Sequence, residues 1–137
     1  MTEMDESSGL SDITSRYLKT GNKYLSNANK YFSKNEFRKS SELLWGAVTQ
    51  SIKALASLSG THIPSHAKFF DYTRSVSKET GDETYHTLFL ELNTLHKNFY
   101  DEEIPPVDFP IFYRKAISFL KKTEELMKVQ IATRITP

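Results

Sequence analysis

The sequence contains no cysteine. Disulfides and thiolate chemistry are therefore excluded, and a reducing compartment is permitted. No apolar run approaches the roughly 20 residues that a membrane span requires. The opening residues, MTEMDESSGL, lack both a basic n-region and an apolar h-region, so no signal peptide is expected and the reading is a cytoplasmic protein. No segment sustains an alternation rich in β-branched residues, so strands are not expected. There is no Gly-rich phosphate loop and no nucleophile elbow, and the acids are dispersed. These absences argue against several kinds of catalysis without touching arrangements assembled from distant residues.

Aromatics are plentiful in one respect: seven Tyr and nine Phe stand against a single Trp. That balance points to ring packing between helices. At 137 residues the chain is long enough for one domain with a substantial core.

Hydrophobic periodicity predicts five helices. The first runs from about Asp12 to Ser33, with Ile13, Tyr17, Tyr24, Ala28 and Tyr31 at helical spacing and Gly21 as a weak point. The second, about Glu36 to Leu58, is assigned Asn35 as its N-cap and Gly60 as its stop. Apolar on several sides, it should be the helix most enclosed by neighbours. Pro64 breaks the chain, and Ser65 opens a third helix that Gly81 ends. Asp82 caps a fourth helix, to about Tyr100; Asp108 caps a fifth, with Pro110 in its first turn. The predicted architecture is all-α: an antiparallel four-to-five-helix bundle over residues 11–130, with helix three as a shorter insert. Residues 1–10 are read as a disordered tail and residues 131–137 as a C-terminal tail.

The net charge of +1 argues against a bulk nucleic-acid binder, but the charges are segregated. Residues 11–40 hold seven bases and two acids, whereas residues 79–103 hold seven acids and one lysine. Such asymmetry can orient a partner or set two subunits against each other. Within the first helix, Arg16, Lys19, Lys23, Lys30 and Lys34 fall within an arc of about 60°, nearly opposite the apolar stripe. No acid interrupts them. One reading is a solvated outer face. The other is a surface for an anionic partner: nucleic acid, an acidic protein, or the acidic region of a second subunit.

The stretch NTLHKNFYDEE, residues 93–103, ends the fourth helix. There His96 lies within about 40° of Tyr85, Phe89 and Leu92 on the helical wheel and so faces the core or its edge. It reads first as a structural histidine, satisfied by Asn93, Tyr100 or a main-chain carbonyl. It reads second as part of a polar pocket in which His96 and Tyr100 hold a ligand, with Asn93 beside them and Asn98 on the other flank near the loop. The acids after Tyr100 sit at the unfavourable end of the helix dipole and must gain elsewhere, as caps or as partners of basic residues. His62 and His66 are four apart, but Pro64 lies between them and two ligands do not make a zinc site; neither a metal site nor a cofactor is expected.

Two stretches resemble known families. ANKYFSKNEFRKSSELLWGAVTQSIKALASLSG resembles the opening of HEPN-type bundles, where a helix ends at a short break and a long helix with small residues follows. LHKNFYDEE is similar to a motif of small archaeal proteins called the PaREP family, which is near HEPN in fold. The resemblance spans about residues 14–128 and implies an all-helical bundle, often a homodimer, of unassigned molecular function. It carries over only His96, Asn98 and Tyr100. Catalytic HEPN members are metal-independent ribonucleases with an arginine four to six residues before a histidine, and no histidine here has an arginine at that distance. Other HEPN proteins pair with nucleotidyltransferases or bind nucleotides. The resemblance therefore implies a binding or adaptor protein more than an enzyme. Residues 24–56 also resemble a tetratricopeptide helix pair, but no second copy follows.

Overall fold

The computed structural model describes residues 10–101 and 103–135. The tail expected over residues 1–10 lies outside them except for Leu10, which packs against the core. Five helices follow one another: α1 Asp12–Ser33, α2 Phe37–Ser57, α3 His66–Thr80, α4 Glu83–Asp101 and α5 Phe109–Ile135. Among the described residues there is no strand. None of the helices is long and apolar enough to cross a membrane.

Local chemistry sets the helix ends. Ser11 caps α1, its hydroxyl accepting from the Thr14 amide at 3.3 Å. Gly81 closes α3 in the left-handed conformation, at φ 76°. Asp82 then accepts from the Thr84 amide at 3.0 Å at the start of α4. Two expected caps differ. Asn35 is not the N-cap of α2; it takes φ 61°, and its amide reaches back to the Phe32 carbonyl at 3.0 Å, so it terminates α1 instead. Asparagine suits either position, since its short side chain caps and its backbone tolerates the left-handed region. Glu36 stands before α2 without a side-chain cap bond, and Ser65 stands before α3 likewise. At the other end, α5 continues through Ile135, beyond the boundary expected at residue 130. No glycine or proline interrupts ATRIT, and the Thr133 hydroxyl bonds back to the Val129 carbonyl at 2.8 Å.

Neighbouring contacts fix the directions. Asn98 meets Ser41, and Tyr85 meets Thr123, so α4 runs antiparallel to both α2 and α5. Phe37 stacks on Phe109, and Phe32 stacks on Tyr113 at 4.4 Å, which sets α1 antiparallel to α5. These four form the bundle. The shorter α3 lies outside it against α4, held by Thr73 to His86 at 2.8 Å. It runs in the same sense as α2, because residues 58–65 double back along the bundle and leave His66 level with Trp45.

Helix α2 is the centre and touches all four others. Leu44, Val48 and Ile52 are wholly buried, as are Ala54 and Ala56 on further sides. Phe89, Leu92, Leu95, Phe109 and Phe119 close over them from α4 and α5. Each large side chain so buried stabilises the fold by about 1.5–3 kcal/mol. Close approach of α1 and α2 depends on small residues. A Cβ on Gly46 would lie 2.8 Å from the Tyr24 ring, and one on Gly21 would lie 3.3 Å from Gln50 Cβ. Gly21 is thus a packing position as well as a weak point in the helix.

Candidate functional site

Helix α4 carries His96 to the seam where α2 and α3 meet it. Its Nδ1 donates to Glu42 Oε1 of α2 at 3.0 Å. Its ring stacks on Trp45 at 5.9 Å, lies 5.6 Å from the His66 ring of α3, and meets Tyr100 edge-on at 5.5 Å. His66 in turn packs against Trp45 and Phe70, at 5.7 and 5.6 Å. The result is a layer of rings at the surface. His96 and Glu42 remain about a third exposed, and Tyr100 is 62% exposed. His96 is therefore satisfied across the seam by a carboxylate, not by Asn93, Tyr100 or a main-chain carbonyl.

The other residues of the expected pocket separate. Asn98 is 2% exposed; its amide donates to Ser41 Oγ at 2.8 Å while its carbonyl oxygen accepts from the Ile104 amide at 2.7 Å. It ties the Pro-rich loop to α2, through the residue that precedes Glu42. Asn93 is partly buried, and its Oδ1 has no hydrogen-bond partner among the described residues. Only His96 and Tyr100 come together, and they do so with Glu42, Trp45 and His66. Glu42 and Trp45 lie more than 50 positions from His96, and no local pattern marks them. His66 is the histidine of the SH pair that opens α3.

Arg38 is a further residue that the sequence reading passed over. Its guanidinium donates to the Phe99 carbonyl at 3.1 and 2.7 Å and to the Tyr100 carbonyl at 3.3 Å. A cation thus sits on the negative end of α4, which offsets the acids that follow Tyr100. Arg38, Lys39, Phe99, Tyr100 and Pro105 border an open groove at this end of the bundle.

Arg16, Lys19, Lys23 and Lys30 are exposed on α1, and Lys34, expected within that helix, is exposed at its C-cap just beyond Ser33. None is in an ion pair among the described residues; Lys34 instead lies 6.0 Å from the centre of the Tyr31 ring, which Lys39 approaches at 5.4 Å. Other lysines are matched. Lys115 bonds Glu91, and Lys122 lies 2.9 Å from Asp82. Among the described residues, no group of three or more histidines and acids is placed to hold a metal ion.

Asp82 and His86 are shifted on the α3–α4–α5 side. Asp82 is held down at about 2 by the Thr84 hydroxyl, then by the Lys122 ammonium, with the Thr84 amide adding to both. Burial lowers His86, and the Arg74 guanidinium adds to this.

A sequence model of the archaeal PaREP1/PaREP8 family matches residues 16–120. No curated protein and no solved structure matches the chain.

Proposed function

The chain belongs to the archaeal PaREP1/PaREP8 family, and on that premise we propose that it is a non-catalytic, HEPN-like binding or adaptor protein that works as a homodimer in the cytoplasm. The observation that carries this reading is the engagement of His96 and Asn98 within NTLHKNFYDEE. His96 Nδ1 is bonded to Glu42, and the Asn98 amide is spent on Ser41 and Ile104. These groups join helices and a loop; they do not converge on one point where a substrate atom could sit. Self-association is supported by the cationic α1 on one side and the acidic residues 79–103 on another, and by the exposure of Tyr100 and Val107, 62% and 82%. Light scattering on the eluting protein should give twice the 15.8 kDa chain mass at micromolar concentration. A monomer throughout would overturn the dimer. An RNA-cleavage assay should give equal rates for the protein and His96→Ala, and a rate that depends on His96 would overturn the non-catalytic reading.

The unpaired ridge on α1 favours a second reading, in which that face holds RNA or DNA. An acidic protein would present the same kind of charge, while a nucleotidyltransferase-type partner is suggested by the HEPN resemblance alone. Five phosphate contacts on duplex DNA would give a log–log salt slope of about −4.5, so affinity should fall roughly 500-fold between 50 and 200 mM salt. Changing Lys19, Lys23 and Lys30 together to Glu should abolish it. Affinity too weak to measure at low salt removes nucleic acid from consideration.

A further inference from the structure

Helices α1 and α5 meet through the Phe32, Phe109 and Tyr113 rings at one end of the bundle. Towards the other end a cavity of about 230 Å³ lies between them, over α2. Its floor exists because α2 presents Ala47 and Ser51 there, opposite Gly21 of α1. Leu18, Leu25, Ile117 and Met127 supply apolar walls.

Of the polar side chains in this lining, Ser51 and Thr123 both have partners in the protein, and Tyr17, Asn22, Lys121 and Glu124 complete it. Ser51 Oγ donates to the Val48 carbonyl at 2.7 Å. Thr123 Oγ1 donates to the Phe119 carbonyl at 3.0 Å and lies 2.9 Å from the Tyr85 hydroxyl. The cleft is half-open, and the hydroxyls of Ser51 and Thr123 on it are already bonded within the protein, so they offer an occupant little and favour an apolar body there. For scale, an enclosed apolar cavity of about 150 Å³ takes up benzene. Drug-sized ligands need about 300 Å³ or more. The volume here falls between, which suits a chain or ring of about six to eight carbons.

The border of the cavity is charged. Glu124 is matched by Lys128 at 3.4 Å. Lys121 is exposed and is in no ion pair among the described residues. We propose that the cleft between α1 and α5 binds a small amphipathic anion, its apolar body seated on Ala47 and Ser51 and its carboxylate on Lys121. This site is on neither the ridge of α1 nor the ring layer around His96, so it stands or falls apart from the readings above.

The test uses the full chain with octanoate, octan-1-ol and octylammonium, followed through the methyl resonances of Ile117 and Met127. Octanoate should shift both methyls saturably, with octanol about tenfold weaker and octylammonium weaker still. Lys121→Gln, at an exposed position, should keep the helical circular-dichroism spectrum and reduce octanoate to the affinity of octanol. Ser51→Leu, which fills the floor, should abolish the shifts from both. The assignment is overturned if no saturable shift occurs up to the solubility limit, if octylammonium binds as well as octanoate, or if Lys121→Gln leaves octanoate unchanged. Should Ser51→Leu fail to fold, the ligand series on the native chain and Lys121→Gln still decide the matter.

Discussion

Arg38 Nη2, in the first turn of α2, donates to the carbonyl oxygen of Phe99, in the last turn of α4, at 2.7 Å. The Nε of the same fork reaches that oxygen at 3.1 Å. Lysine can supply charge here but not two donors in fixed geometry. Arg38→Ala should cost about 1 kcal/mol in urea denaturation, a modest figure because the site is exposed, and Arg38→Lys should recover part of it. Equal stability of all three proteins would show that the fork contributes nothing.

Asn98 occupies a stricter position. Both ends of its amide are bonded, and it is almost wholly buried. Asn98→Leu would keep the volume but leave the Ile104 amide and the Ser41 hydroxyl without their partner. A loss of about 2–3 kcal/mol in chemical denaturation is expected, larger than for Arg38→Ala. Faster amide exchange at Ile104 should accompany it.

Gly46 tests the contact of α1 with α2. Alanine in a helix gains about 1 kcal/mol over glycine. Overpacking costs about 1–3 kcal/mol, and the new Cβ would stand 2.8 Å from Tyr24 Cδ2. The second effect should win, so Gly46→Ala is expected to lower stability. In Tyr24→Ala the same change should be neutral or stabilising. A double-mutant cycle measures this coupling, and additive effects would rule it out.

Acid should weaken the fold in two separate ranges. His86 binds its proton less readily folded than unfolded, so its contribution is complete above its ordinary value of 6.5 and declines as pH falls below that. Asp82 is depressed from 3.8 to about 2, so its contribution is complete above pH 4 and is lost as pH falls through about 2. Both make stability fall with falling pH. Thermal melts from pH 8 to 2 should show the upper decline vanish in His86→Gln and the lower one shrink in Asp82→Asn.

Local signals carried the fold. Gly81, Asp82 and Pro64 act through backbone geometry within a few residues, so the ends they set could be read directly. The exposed lysine row followed from helical spacing alone. Asn35 was ambiguous because one residue type serves both as a cap and as a left-handed stop. The direction of α3 depends on the path of residues 58–65, which no periodicity encodes. The site was less legible for a related reason. His96 could be placed on the inner side of α4, but its partner Glu42 is 54 positions away and is one carboxylate among many in the sequence. Arg38 likewise looked like any charged residue until the end of α4 came to rest on it.

The ring layer of Phe32, Phe37, Phe109 and Tyr113 joins residues from opposite ends of the chain. During synthesis α1 and α2 can pair as soon as both have left the ribosome, but Phe32 and Phe37 find their cover only when α5 has emerged. Until then the nascent protein presents bare aromatic surface, and a product cut short before residue 109 would present it permanently. Such fragments should aggregate or be captured by chaperones, while the complete chain escapes both.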